Sequence, residues 1–141
     1  MSYASKRRLH AFFIAFSILL SIIGFSYNVW RLEVTERNST VRTASFELLK
    51  ELSELEQLIY ILHYDKNLTD GSPRRGWIKV GLIKDLSPLA GEEVEVMSLK
   101  LMDVWSENWT YIEQSQQATD TVIATIDETR SSINKALTSL H

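Results

Sequence analysis

The stretch DGSPRRGWIKVGLIKDLSP, Asp70 to Pro88, decides the fold, because it interrupts a chain that otherwise repeats apolar residues at helical spacing. Asp70-Gly71-Ser72 is a turn signal, since glycine reaches unusual backbone angles and aspartate bonds to its own backbone. Ser72 can cap a helix start, and Pro73 fits the first helical position, where its missing donor costs nothing. A short tip helix is expected over about 72–87, with Trp77, Val80, Ile83 and Leu86 as its apolar face. Ser87 and Pro88 should then open the next element, loosened by Gly91.

Upstream, Val34, Val41, Leu48, Leu52, Leu55, Ile59 and Leu62 alternate by three and four residues, skipping Asn38 and Ser45, in a coiled-coil type seam. Phe46, Leu49, Leu58 and Ile61 widen it, as suits a helix with more than one neighbour. Downstream, a weaker seam runs through Met97, Leu101, Val104, Asn108, Ile112, Thr119, Val122, Ile126, Ile133, Ala136 and Leu140. The fold class is therefore all-α. A long helix over about 31–68 and another over about 92–139 form an antiparallel hairpin capped by the tip helix. A hairpin buries little alone, so completion of a bundle by oligomerisation is expected.

At ~1.5 Å per residue, Val29–Leu68 is about 60 Å of helix and Glu92–Leu140 about 73 Å. Equal arms cannot hold both. Either the second helix breaks near its start, within Gly91–Lys100, or its last residues reach a membrane plane. The tail RSSINKALTSLH sets Ile133, Ala136, Leu137 and Leu140 against Arg130 and Lys135. It could touch lipid headgroups, although continued packing on the first helix is the preferred reading.

Leu9 to Trp30, LHAFFIAFSILLSIIGFSYNVW, has no charge and only serine as a clearly polar interruption between Ala11 and Tyr27. Leu9–Val29 spans about 31 Å as a helix, against a hydrocarbon core of about 30 Å. Tyr27 and Trp30 fall where interfacial aromatics belong. A cleaved signal peptide is disfavoured by the length of the apolar run and the missing small-residue cleavage site. The reading is an uncleaved signal anchor, residues 9–30, whose lipid contact is Leu9 to Trp30. Lys6, Arg7 and Arg8 keep residues 1–8 in the cytoplasm and export 31–141.

The net charge is −3, and since those three bases come before any acid, Arg31–His141 carries −6. An acidic domain lacks the electrostatic attraction that dominates nucleic-acid binding, so that partner class is excluded. There is no cysteine, which excludes disulfides, thiolate catalysis and cysteine metal sites.

Catalysis needs a nucleophile, a base and stabilising groups together. His10 sits at the membrane boundary and His141 is the last residue, so no histidine cluster for a metal is formed. GWIKVG, Gly76–Gly81, is followed by Leu82 and Ile83 where a phosphate loop needs Lys and Ser or Thr. Glu92, Glu93 and Glu95 suit a helix N-terminus better than a metal. No enzyme, cofactor or metal is therefore expected.

What remains is aromatic. Folding back brings Tyr60, His63 and Tyr64 near Trp77, Trp105 and Trp109, beside Arg74 and Arg75. Such a cluster could hold a small anionic or aromatic ligand, or a partner. Core filling is the preferred alternative for the rings, which leaves Arg74 and Arg75 as the best contacts. Sequons at Asn38, Asn67 and Asn108 would matter in a eukaryotic secretory protein, but Asn108 falls on the seam. A short, cysteine-free anchored domain suits a bacterial inner membrane with its C-terminal domain in the periplasm.

The expected function is a non-enzymatic assembly, scaffold or accessory module, partnered by a second copy or another membrane protein. The alternative is ligand sensing relayed through a partner. In layout, from Leu9 onward, the chain is similar to the helical ectodomains of bacterial chemoreceptors and sensor kinases, without a second span or cytoplasmic output. Anchored coiled-coil accessories of phages and septa are a weaker likeness, because the turn at Asp70 breaks a continuous rod.

Overall fold

The uninterrupted apolar run and the seam that follows it form one helix, as their lack of proline allows. The computed structural model describes residues 3–140, leaving Met1, Ser2 and the terminal His141 of the expectations above outside the described residues. Among these there are four helices and no strand: α1 (Tyr3–His63), α2 (Pro73–Ala90), α3 (Glu92–Asn108) and α4 (Gln116–Thr138). The chain divides into two units, Met1–Arg37 and Asn38–His141.

In the first unit every side chain from Lys6 to Arg37 is exposed. Among the described residues, one helix, α1, is long and apolar enough to cross a membrane. Its polar groups bond back onto their own helix, the arrangement that lowers their cost in lipid. Ser21 Oγ donates to the Ser17 carbonyl at 2.8 Å, Thr35 Oγ1 to Arg31 at 2.9 Å, and the His10 ring to Lys6 at 2.7 Å.

In the second unit Leu48, Leu52, Leu55, Ile59 and Leu62 are fully buried or nearly so, as their spacing predicts. They meet Val80 and Ile83 of α2, Val94, Leu101 and Trp105 of α3, and Ile112, Val122, Ile126 and Ile133 of α4 and the turn before it, in one core. The seam does not extend to Val34, which is exposed, and Phe46 also faces outward.

The expected helix over 92–139 is instead two helices. Asn108 closes α3 by donating its side chain to the Val104 carbonyl at 2.8 Å. Ser115 opens α4 as an N-cap, its hydroxyl accepting from the Ala118 N–H at 3.2 Å. The break near 91–100 that would have shortened the arm does not occur, because α3 runs through those residues. The tail follows its packing reading: Ile133 is fully buried, Lys135 binds Glu93 at 2.9 Å and Arg130 binds Glu56 at 2.6 Å.

Numbers rise along one helix as they fall along its neighbour. On α1 and α2, Lys79 reaches Glu51 and Glu54, while Leu86 and Leu89 lie beside Thr43 and Ala44. On α2 and α3, Gly76 faces Trp105 and Ser87 faces Ser98; on α3 and α4, Lys100 meets Glu128 and Lys135 meets Glu93. Arg130 meets Glu56 and Gln116 meets His63 between α4 and α1. Four antiparallel helices from one chain thus enclose the core, and the shortage of buried surface that a two-helix hairpin would face does not arise.

Two further boundaries move for physical reasons. Helix α1 ends at His63 rather than near 68, as Lys66 takes a left-handed φ of 52° and Asn67 Oδ1 accepts from the Thr69 and Asp70 N–H groups. Gly71 lies against the Leu62 backbone, where any Cβ would be within 2.9 Å. Helix α2 runs past Pro88 to Ala90. Pro88 has no N–H for the Lys84 carbonyl, but Ser87 Oγ donates to that carbonyl at 2.8 Å. Ser98 Oγ donates to the Glu95 carbonyl at 2.7 Å and lies 2.7 Å from Ser87 Oγ, so the two buried hydroxyls meet where proline leaves the α2 backbone without a donor. Gly91, at φ 135°, joins α2 to α3.

Candidate functional site

The sequence-selected residues gather at the end of the bundle formed by the 64–72 and 109–115 turns, but they form two groups. In the first, α2 and α3 set Trp77 edge-on to Trp105 and Trp109, with ring centres 6.4 and 6.3 Å apart. Gly76 makes this possible, because the Trp105 ring occupies the space its Cβ would need. Trp105 is fully buried and its indole Nε1 has no hydrogen-bond partner, so this ring is core. Trp109 is half-buried and Trp77 is exposed at its outer edge.

In the second group, His63 joins three segments. Its Nδ1 donates to the Ile112 carbonyl at 2.6 Å, and Nε2 lies 3.0 Å from Gln116 Oε1. Thr119 Oγ1 sits 3.1 Å from the same carbonyl, and Gln116 Nε2 donates to Asp120 at 2.7 Å, which fixes the amide. With both nitrogens engaged in a buried network, His63 ties the end of α1 to the turn and the start of α4. Tyr64 stands edge-on to it at 4.7 Å and Tyr60 stacks obliquely on Tyr64 at 6.0 Å. Tyr60 donates to Glu56 at 3.2 Å, and burial followed by the Glu56 charge raises its pKa.

Arg74 and Arg75 are exposed in the first turn of α2, and Arg75 borders shallow grooves with Glu54, Asp70 and Lys79. Neither arginine makes an ion pair among the described residues. Lys79, one turn on, is committed to α1: burial lowers its pKa, but the bonds to Glu54 and Glu51 outweigh that and raise it. The Lys79 bond lowers the pKa of Glu54. Among the described residues no group of three or more His, Asp or Glu could hold a metal. Glu92, Glu93 and Glu95 occupy the first turn of α3, where a helix N-terminus favours acids.

Sequence reasoning missed two exposed apolar rows. Ile78, Leu82 and Leu89 lie along the outer side of α2, and Val96 and Leu99 along that of α3. Their spacings of four, seven and three were readable, but the buried rows on the same helices have similar spacing. Comparison with protein-family models, curated proteins and solved structures finds no match to this chain.

Proposed function

We propose that the protein is a non-enzymatic, single-pass assembly module. Leu9–Trp30 anchors it uncleaved in a bacterial inner membrane, the basic N-terminus stays in the cytoplasm, and residues 31–141 stand in the periplasm. The observation that carries this reading is the pairing of an all-round exposed apolar segment with a closed bundle that still leaves apolar rows on α2 and α3 uncovered. A helix apolar on every side needs lipid around it. The split of bases before the segment and net acid after it supports the orientation. Trp105 in the core and His63 in an internal network leave little of the aromatic cluster for a small ligand, which favours assembly over sensing.

The test is cross-linking in intact membranes followed by sizing in mild detergent, together with thiol labelling of the single variants Lys6→Cys and Ser139→Cys. The proposal expects a species larger than the monomer, with the thiol at position 139 labelled from outside and the thiol at position 6 only after permeabilisation. A monomer at every concentration, or the reverse labelling, refutes it.

A further inference from the structure

The outer faces of α2 and α3 differ in charge as well as sharing apolar rows. On α2, Ile78, Leu82, Asp85 and Leu89 recur at four, three and four residues, turned away from the buried Val80, Ile83 and Ser87, with Ile78 and Leu82 bordering Glu51 and Glu54 of α1 and Leu89 bordering Thr43 and Ala44. Arg74 and Arg75 sit at the start of that row without ion pairs among the described residues. On α3, Val96 and Leu99 are followed at the same spacing by exposed Asp103 and Glu107, likewise without ion pairs among the described residues. The acids of α1 near the α2 row are already held, Glu47 by Lys50 and both Glu51 and Glu54 by Lys79. The α2 row carries the two bases at its start and one exposed acid, Asp85, between Leu82 and Leu89, so its charge is complementary to the acids of α3 at the Arg74–Arg75 end.

The register agrees. Gly76 is level with Trp105, and Ser87 with Ser98. Consider two copies side by side with bundle axes parallel and like ends together. The α2 face of one then meets the α3 face of the other with Arg75 beside Glu107 and Leu89 beside Val96, each within one helical turn. Leu82 comes within a turn of Leu99. Pairing either face with itself in this orientation sets Arg74 and Arg75, or Asp103 and Glu107, against their own copies. Like charges brought together disfavour both self-facing arrangements.

We infer that the partner is a second copy of this chain, with α2 of one copy against α3 of the other. The contact builds a two-fold dimer, closed rings or open rows. This rests on the assembly reading above and names its partner.

The chain has no cysteine, so introduced ones report without background. Full-length Leu89→Cys and Val96→Cys chains are co-reconstituted in vesicles and oxidised mildly. The expected product is the mixed disulfide dimer, with little from either chain alone. Arg75→Glu on the Leu89→Cys chain should lower its yield about tenfold, the loss of a favourable charge pair plus a new repulsion. Glu107→Arg on the other chain should restore it. Dimers from Leu89→Cys alone or Val96→Cys alone would overturn the inference, as would a yield indifferent to both charge reversals. If no such disulfide forms but the chain cross-links to a different membrane protein, the inference fails and the assembly reading survives. If it cross-links to nothing, both fail.

Discussion

Two glycines five residues apart in α2 should respond in opposite directions to the same methyl group. A Cβ at Gly81 meets nothing within 4 Å, whereas one at Gly76 falls on Cζ2 and Cη2 of Trp105, well under the 3.0 Å that real Cβ contacts respect. Gly→Ala in a helix interior stabilises by about 0.5–1 kcal/mol through chain entropy and propensity, and both sites gain it. Overpacking costs about 1–3 kcal/mol and applies to Gly76 alone. Trp105 is fully buried, against Gly76 and edge-on to Trp77. The expected outcome is that Gly81→Ala gains about 0.5–1 kcal/mol while Gly76→Ala loses about 1–2 kcal/mol. For a domain of this size each kcal/mol moves the melting temperature by about 4–8 °C. Helicity of the detergent-solubilised full chain, followed by circular dichroism against temperature and urea, measures both. Equal stabilisation by the two substitutions would show that α3 does not press Trp105 onto α2, and the packing described here would be wrong.

Ser87→Ala should cost about 1–3 kcal/mol by leaving the Lys84 carbonyl without its substitute donor, and the cost should shrink in a Pro88→Ala background, where the backbone N–H returns; a double-mutant cycle by urea melts reads the coupling. Lys79→Met should cost about 1–3 kcal/mol because Glu51, only 7 % exposed, loses its counter-charge. The same link sets a pH dependence. The pKa of Glu54 is lowered, so its contribution holds above the usual glutamate range and is lost as pH falls through the lowered value; the raised pKa of Lys79 makes its contribution fade only above the usual lysine range. Stability measured from pH 7 to pH 3 should fall less steeply in Lys79→Met than in the natural chain. His63→Ala should cost about 1–3 kcal/mol and speed amide exchange in 109–115, since the end of α1 loses its buried links to the Ile112 carbonyl and Gln116, leaving Thr119 as the carbonyl's remaining side-chain donor.

How much of this was legible in the sequence depended on whether a feature has a local cause. The apolar run and the Leu48–Leu62 rows announce themselves, because lipid and core both select by spacing. Val34 continues the rhythm but not the burial, since spacing cannot say where neighbouring helices stop. The break after Asn108 was missed because NWTYIEQS contains neither glycine nor proline; the sign was Ser115, three residues before Ala118. The opposite error occurred at Pro88, where a proline suggested a boundary and a single hydroxyl one residue away let the helix continue. Of the site residues, the tryptophan group was foreseeable from the fold-back, whereas the partners of His63, namely Ile112, Gln116 and Thr119, follow from a turn that the sequence did not announce.

The account rests on α3 and α4 folding back on each other within one chain. Lys100 and Glu128 touch across that pair, whereas in one continuous helix they would stand about 42 Å apart at ~1.5 Å per residue. Spin labels at Lys100→Cys and Glu128→Cys, diluted with unlabelled chain so that only distances within one molecule are read, decide between them by pulsed electron resonance. A narrow distribution at about 20 Å or less, as neighbouring helices ~8–10 Å apart require, is the predicted result, and a distance near 42 Å would contradict it.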